Sequence, residues 1–265
     1  MPLWKLTKQA ERLTLCNYRI KPEALDHLLP QGTRARIHNG RAFGGITIKN
    51  YNCQKYDIAA YLMGFPYEII LHSVAIEWDE GEDIKNGLLI LALHNSSRMA
   101  AFLSKKLYPV KCNHVQFEAD EHFSSYLFKA HAKQHDVYLH AGMEPHFAKE
   151  SFFSSAREAG NFFQESLIHQ HSLNQKNGRF FQSLAEGQWT CQALDIREFS
   201  SQFFEENFDP KDIEVDHAVM MQKLEPSWCG SVGEQKEVIS SSFAMNQKSA
   251  RKATKSQLSN SLLIY

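Results

Sequence analysis

The sequence lacks an excess of charge of either sign, since its 29 Lys and Arg residues balance 30 Asp and Glu residues. Proteins dedicated to nucleic acids or to anionic membranes normally carry a basic excess, so we expect neither partner. The longest apolar run, residues 87–93, is far shorter than the ~20 residues of a membrane helix. Residues 1–12 are polar and lack the apolar stretch of a signal peptide, which predicts a cytoplasmic protein.

Cysteine pairs at redox or metal-binding spacing are missing as well. The five cysteines are scattered, odd in number and without a C-x-x-C motif, so we expect buried, reduced thiols. The glycine loops of nucleotide-binding proteins, the serine nucleophile elbow and the H-E-x-x-H motif do not occur either. Of the 13 histidines, the pairs His131/His135 and His169/His171 lack a third ligand at a clear spacing. The sequence therefore predicts no metal and no cofactor.

The chain does carry strong strand and hairpin signals. Asn39-Gly40 is typical of a two-residue hairpin, and Gly44-Gly45 in the return strand indicates a bulge or a close backbone approach. Strands are predicted at residues 33–38, 41–48, 67–78, 88–93, 114–119, 126–132, 137–141, 179–181, 189–195 and 213–224, and helices at 21–29, 95–106, 154–165 and 199–206. Because the strands do not alternate regularly with helices, we predict an α+β fold on a curved, mostly antiparallel sheet that could close into a barrel.

The composition changes near residue 230. The last acidic residue is Glu237, and four basic residues follow it among Ser, Asn and Gln. Such a segment buries too little apolar surface to fold on its own. We predict one domain over residues 1–229 and a disordered basic tail over residues 230–265.

Two adjacent lysines, Lys105 and Lys106, end a predicted helix that is apolar on one face. A lysine shielded from water beside a second cation loses stabilisation of its charged form, so its pKa falls. The neutral amine can attack a ketone and form a Schiff base, and the resulting iminium accepts the electrons released when a β-carboxylate leaves as carbon dioxide. The alternative interpretation of the pair is a solvated helix end.

Several segments, taken in order, resemble the acetoacetate decarboxylase-like superfamily, and more closely an uncharacterised bacterial branch of it. Residues 18–32 are similar to the first strand, helix and proline stop of the family, and residues 39–43 to the hairpin that follows. Later landmarks lie at residues 72–78, 96–98 and 203–216. The resemblance implies a cone or barrel of curved, mostly antiparallel sheet with peripheral helices and a small-molecule pocket inside.

The resemblance also implies the catalytic residues. In acetoacetate decarboxylase an arginine precedes a Lys-Lys pair by seven residues, and Arg98 has this spacing to Lys105 here. By this match Lys105 would carry the Schiff base and Lys106 would lower its pKa. Glu68 matches a pocket glutamate, so that Glu68 and Arg98 are the expected substrate-binding residues.

The chain departs from the family pattern at two positions. A second family glutamate falls on or near Gly44, where no acid is present, and the family's N-terminal pocket arginine lies one position from Arg12. A pocket without these groups could bind a small carbonyl compound or acid without decarboxylating acetoacetate.

Three functions fit this scaffold. The first is a lyase-type enzyme that acts on a small keto acid or carbonyl compound through a Schiff base on Lys105, and the second is a non-catalytic protein that binds a small carbonyl or carboxylate ligand. The third is another carbonyl chemistry, such as a hydratase, cyclase or aldolase-like condensation. A metal-dependent hydrolase is a much weaker fourth candidate. The sequence does not determine whether the protein forms a homo-oligomer. The candidate pocket-lining residues are Phe43, Ile46, Ile69, Leu71, Leu89, Leu91, Phe102 and Met220, and the alternative, which is favoured for most of them, is an ordinary place in the core.

Overall fold

Long antiparallel strands make up most of the described chain, as expected for a sequence rich in alternating apolar residues. The computed structural model describes residues 9–52, 67–98, 101, 112–122, 124–131, 135–143, 146–168, 170–172 and 189–223. Its strands are β1 (Gln9–Ile20), β2 (Arg34–Ala35), β3 (Ile37–His38), β4 (Arg41–Asn52), β5 (Tyr67–Glu80), β6 (Asp83–Asn95), β7 (Cys112–His114), β8 (Gln116–His122), β9 (Ser125–His131), β10 (Val137–Gly142), β11 (Gln170–Ser172), β12 (Trp189–Ser201) and β13 (Ile213–Lys223). The α-helices are α1 (Ala156–Ile168) and α2 (Gln202–Asn207), and a 3₁₀ turn covers Pro22–Leu25.

These strands form one sheet in the order β11-β6-β5-β4-β1-β13-β12-β10-β9-β8. Short strands extend it, since β2 pairs with β5, β3 with β4 and β7 with β6. Only β7 and β11 run parallel to their neighbour, β6, within the described part of the chain. The sheet curves into a nearly closed barrel, which confirms the expected curved and mostly antiparallel architecture.

The concave face of the sheet, called the interior here, carries a buried cluster of side chains from strands on opposite sides of the barrel. Ile46 and Ile48 of β4 share one buried cluster with Phe128 of β9 and Leu139 of β10. Since side chains alternate along a strand, the even-numbered residues from Arg12 to Ile20 of β1 and from Ala42 to Asn50 of β4 point inward. The 3₁₀ turn and α2 cover one end of the interior with Leu25 and Phe204.

The convex face is covered as well. Helix α1 packs Ala159, Phe162 and Phe163 against Leu15 and Val219, which are outward-facing residues of β1 and β13. Both faces of the central strands are therefore buried, as is usual where helices cover a sheet.

Two sequence predictions that concern the local backbone, the Asn39-Gly40 hairpin and the close approach at Gly44-Gly45, are confirmed. Asn39 and Gly40 have positive φ angles of 49° and 77° and form the hairpin between β3 and β4. The glycine pair lies at a close backbone approach: a Cβ on Gly45 would come 2.1 Å from the carbonyl oxygen of Cys16.

Two helix predictions are wrong in extent. The helix expected at residues 21–29 is only a single 3₁₀ turn. The N–H of Lys21 still donates a hydrogen bond to the Asp212 carbonyl at the end of the β-ladder, and Leu25 is the one fully buried side chain of this segment. In the segment 199–206, residues 199–201 continue β12, and α2 begins only at Gln202.

All described residues belong to one compact unit, Lys8–Ser227. The predicted tail over residues 230–265 and the predicted strand at 179–181 lie outside the described residues. No helix in the described part of the chain is long and apolar enough to span a membrane.

Candidate functional site

Charged side chains gather at the end of the interior that is opposite the 3₁₀ turn. Arg12 of β1 forms an ion pair with Glu121 of β8, and its guanidinium lies 5.4 Å from the centre of the Tyr126 ring. In the register of the sheet, Arg12 faces Asn50 of β4, and Asn50 faces Glu68 of β5. Three central strands thus align Arg12, Asn50 and Glu68 in one row on the interior face, which we call the Arg12 row.

The Arg12 row includes a perturbed carboxyl group. Burial raises the pKa of Glu68, and the nearby charge of Arg12 opposes this shift. Burial also raises the pKa of Tyr126 to about 12, although its hydroxyl is hydrogen-bonded to Thr14. This end of the interior therefore combines a cation with a half-buried carboxyl group whose pKa is raised.

Replacing Arg12 with glutamine is expected to raise the pKa of Glu68 further. The charge of Arg12 lowers this pKa in the folded protein, and without it the desolvation of Glu68 is no longer opposed. The measurement is an NMR titration of the side-chain carboxyl carbons in labelled wild-type protein and in R12Q. R41Q serves as the control, because Arg41 contacts Phe152 on another part of the chain. An unchanged titration of Glu68 in R12Q would show that the two charges do not interact.

The segment that carries the predicted lysines starts beside Glu68. The backbone of Glu68 exchanges hydrogen bonds with Ser96, through its N–H to the Ser96 hydroxyl and its carbonyl to the Ser96 N–H. Helical backbone follows at Arg98, whose side chain is exposed, and the chain returns at Cys112 beside Leu93 of β6. Lys105 and Lys106 lie outside the described residues.

The structure brings together some of the residues expected from sequence and adds others. Glu68 is half-buried in the Arg12 row, whereas Arg98 is exposed at the start of the next segment. Arg12 also lies in this row, directly after a bulge in β1 between Ala10 and Arg12. The position between the two charges is occupied by Asn50, so no second acid lies in this row.

A second polar group in the interior consists of three histidines, and we call it the histidine cluster. His72 of β5 and His94 of β6 have ring centres 5.0 Å apart, and the His135 ring lies 6.4 Å from His72 and 5.8 Å from His94. Four of their buried ring nitrogens have no hydrogen-bond partner among the described residues: His72 Nε2, both nitrogens of His94 and His135 Nδ1. No sequence motif points to this cluster, because its members belong to different segments and only the register of the sheet joins them.

The surroundings of the histidine cluster are mostly apolar. Phe203 of α2 packs against His72 and His135 with ring centres 5.0 and 5.2 Å away, and the Ser201 hydroxyl lies 3.4 Å from His72 Nδ1. Burial, followed by the neighbouring imidazoles, lowers the pKa of His72 well below its ordinary value and that of His94 to about 4. Both rings are consequently neutral near pH 7. No group of three or more metal-ligating side chains in the described chain is arranged to hold a metal ion.

Lys49 is another buried titratable group that the sequence reasoning did not single out. It lies on the convex face of β4, between Leu13 of β1 and Ile69 of β5, and is 2% exposed. Burial lowers the pKa of Lys49 to about 7. Because it points away from the interior, it does not belong to the Arg12 row or the histidine cluster.

The predicted pocket-lining residues divide between the two faces of the sheet. Ile46, Leu89, Leu91 and Met220 point into the interior. Phe43, Ile69 and Leu71 pack on the convex face and do not line the interior, in agreement with the alternative that they belong to the core. Phe102 lies outside the described residues.

Comparison with known proteins identifies the fold. The sequence matches no protein-family model and no curated protein. An acetoacetate decarboxylase-like enzyme from Sphingomonas wittichii RW1 has a similar structure, with a TM-score of 0.51 and 13% identity over 81% of this chain and 91% of that one. The enduracididine biosynthesis enzyme MppR, solved in complex with pyruvate, also has a TM-score of 0.51, with 9% identity over 79% of this chain and 84% of that one. The chain therefore has the acetoacetate decarboxylase-like fold that its sequence resembles.

Proposed function

We propose that the protein is a lyase-type enzyme that acts on a small keto acid or related carbonyl compound inside the barrel. The observation that carries this proposal is the Arg12 row, in which a half-buried carboxyl group with a raised pKa and an arginine share the interior face. Similar structures include an acetoacetate decarboxylase-like enzyme and an enzyme in complex with pyruvate, which supports a small carbonyl ligand.

The proposed reaction proceeds through a Schiff base on Lys105. The neutral amine of Lys105 attacks the ketone carbon, the ketone oxygen takes up a proton and leaves as water, and the product is a protonated Schiff base, the iminium. The bond to the β-carboxylate then breaks, carbon dioxide departs, and its electron pair moves into the iminium to form an enamine. A proton returns to carbon before water hydrolyses the Schiff base. In this scheme Lys106 lowers the pKa of Lys105, Arg12 attracts the substrate's carboxylate and Glu68 exchanges the proton. Arg98, which is exposed, attracts the anion from solvent.

Reductive trapping tests the lysine assignment. The wild-type protein is incubated with acetoacetate, pyruvate or small aldehydes, then treated with borohydride, and adducts are mapped by peptide mass spectrometry. We expect an adduct on Lys105 that disappears in K105A and weakens at neutral pH in K106A. K85A is the control and should keep the adduct, since Lys85 pairs with Asp83 on the surface. An adduct on Lys49, or labelling spread over many lysines, would contradict the assignment to Lys105.

The alternative is a non-catalytic protein that binds the same class of ligand, and the unpartnered histidine nitrogens favour it because they require no reactive lysine. It predicts saturable binding of a small carbonyl or carboxylate compound without any trapped adduct. An adduct without release of carbon dioxide would instead indicate a condensation or another carbonyl chemistry, since a Schiff base is common to these reactions.

A further inference from the structure

We infer that the histidine cluster is a carboxylate-binding subsite whose occupation is coupled to the uptake of a proton. This inference goes beyond the proposed function, because it holds whether or not Lys105 forms a Schiff base. It rests on the positions and burial of His72, His94 and His135 within the barrel.

Unpartnered nitrogens are the first argument for a ligand. His72 and His94 are 0% and 1% exposed, and buried polar atoms in native proteins nearly always have a partner in the protein, in ordered water or in a ligand. The barrel leaves three nitrogens on these two rings without one among the described residues. A neutral imidazole offers one donor and one acceptor, so the pair can hold a small molecule that presents oxygen atoms.

The backbone at His135 is the second argument. His135 has a φ angle of 98°, a conformation that residues with a side chain rarely adopt. Gln202 of α2 stabilises it, because its side-chain oxygen accepts hydrogen bonds from the N–H groups of His135 and Asp136, and its backbone N–H donates to the Asp136 carbonyl. The fold thus holds His135 in a strained backbone conformation that places a third imidazole in the cluster. Strained residues of this kind are typical of binding sites.

The position of the cluster indicates what it binds. His72 and Glu68 lie on the same face of β5, and His94 pairs with Ile70 between them. Two residues along a strand span about 7 Å, so a molecule of keto-acid size at His94 reaches toward the Arg12 row. No lysine or arginine contacts the cluster rings among the described residues. Within that part of the chain, protonation of the imidazoles themselves is the source of positive charge for a bound carboxylate.

Few titratable groups surround the cluster among the residues that the structure describes. Tyr18 of β1 lies near Phe204, Glu205 of α2 is exposed and accepts the Ser201 N–H, and Asp136 is exposed beyond His135. Glu68 and Arg12 lie farther along the interior. Without a ligand, burial keeps His72 and His94 neutral. A bound carboxylate favours the protonated form, so the pKa of the cluster rises on binding and one proton enters from solvent.

Calorimetry with butyrate tests the subsite, because butyrate has a carboxylate but no carbonyl that could form a Schiff base. Titrations of the full-length protein at pH 6 in MES and in bis-Tris, which differ in ionisation enthalpy, report the protons taken up. We expect uptake of about one proton per butyrate, and a Kd that weakens by about tenfold per pH unit in the range where only the complex is protonated. The same heat in both buffers, a Kd that is constant from pH 5.5 to 8, or no binding would overturn the inference.

Variants and zinc distinguish a carboxylate subsite from a cation site. H94Q keeps a polar side chain that cannot be protonated, so both proton uptake and butyrate affinity should fall, while H140Q on the convex face of β10 should behave as wild type. Circular dichroism shows whether each variant is folded. If H94Q does not fold, the titration of the wild-type protein still decides the question. Tight binding of one Zn²⁺ to chelator-treated protein, lost in H94Q, would overturn the inference by identifying a cation site. The result of borohydride trapping on Lys105 does not depend on these titrations, so the proposed function and this inference can fail separately.

Discussion

Alanine at position 45 is expected to lower the free energy of unfolding by about 3 kcal/mol or more, which places it among the severe single substitutions. The new Cβ would lie 2.1 Å from the carbonyl oxygen of Cys16 and 2.7 Å from the Cα of Asn17. Both atoms belong to the backbone of β1, which pairs with β4 on one side and β13 on the other. β1 cannot move away without loosening both ladders. Urea denaturation of G45A, or loss of soluble protein, measures the effect.

Gly142→Ala is the matched control for this experiment. Gly142 also lies in a buried strand of the sheet, but the nearest atoms to its added Cβ are 3.4 Å away, on the side chains of Arg197 and Asp195. That is ordinary van der Waals contact, so G142A should change the free energy of unfolding by about 1 kcal/mol or less. Equal stability of G45A and G142A would show that β1 and β4 do not approach as closely at Gly45 as the structure has them.

Position 45 also shows which features a single sequence reveals. Asn39-Gly40 and Gly44-Gly45 report on the backbone at their own positions, because only residues that tolerate positive φ angles or lack a Cβ fit there. Local periodicity likewise predicts most strands and the position of α1. These signals depend on only a few neighbouring residues, so they can be interpreted without knowledge of tertiary contacts.

Which side of a strand faces the interior could not be read from the pattern. Phe43 and Ile46 have opposite parity on β4, yet both are fully buried, because α1 covers the convex face as completely as the opposite strands cover the concave one. Ile69 and Leu71 were assigned to the pocket for the same reason. Alternation identifies a face only when the other face is polar.

The polar groups of the interior were harder still to foresee. Arg12 and Glu121 are 109 residues apart, and the closure of the barrel alone brings them together. His72, His94 and His135 come from two neighbouring strands and a connecting segment, and the bulge of β6 opposite His72 and Ser73 alters their register. A shift of one residue would turn each ring to the convex face, so the cluster depends on pairing that a sequence does not display.

A buried network on the convex face has a structural role that is separate from the interior. The Asp216 carboxylate accepts hydrogen bonds from His217 Nδ1 at 2.6 Å, from the Ser151 hydroxyl at 2.7 Å and from the N–H of Phe152 at 3.2 Å. Asn17 donates to the other nitrogen of His217, which assigns the ring proton to Nδ1. The network fastens the segment before α1 onto β13, and Phe153 packs against His217.

Replacing Asp216 with alanine is expected to cost about 3–5 kcal/mol, the range for breaking a buried pair and leaving its partner unsatisfied. The Asp216 and His217 side chains are both 0% exposed, so water cannot take the place of the lost carboxylate without opening the segment at Ser151. Thermal and urea denaturation of D216A at pH 7 measure the loss. D195A is the control, because Asp195 is exposed on β12 and should change stability little.

The stability gained from Asp216 is expected to depend on pH with a definite sign. Burial alone would raise the pKa of this carboxyl, but hydrogen bonds from His217 and Ser151 hold it below its ordinary value. The unfolded chain therefore binds a proton more readily, and the contribution of Asp216 is complete above the ordinary aspartate pKa of about 4 and declines as the pH falls below it. The difference in unfolding free energy between wild type and D216A should accordingly shrink as the pH falls from 5 toward 3. If that difference stayed constant down to pH 3, the network would not depend on the charge of Asp216, and its stabilisation of the segment before α1 would have to come from packing of Phe153 alone.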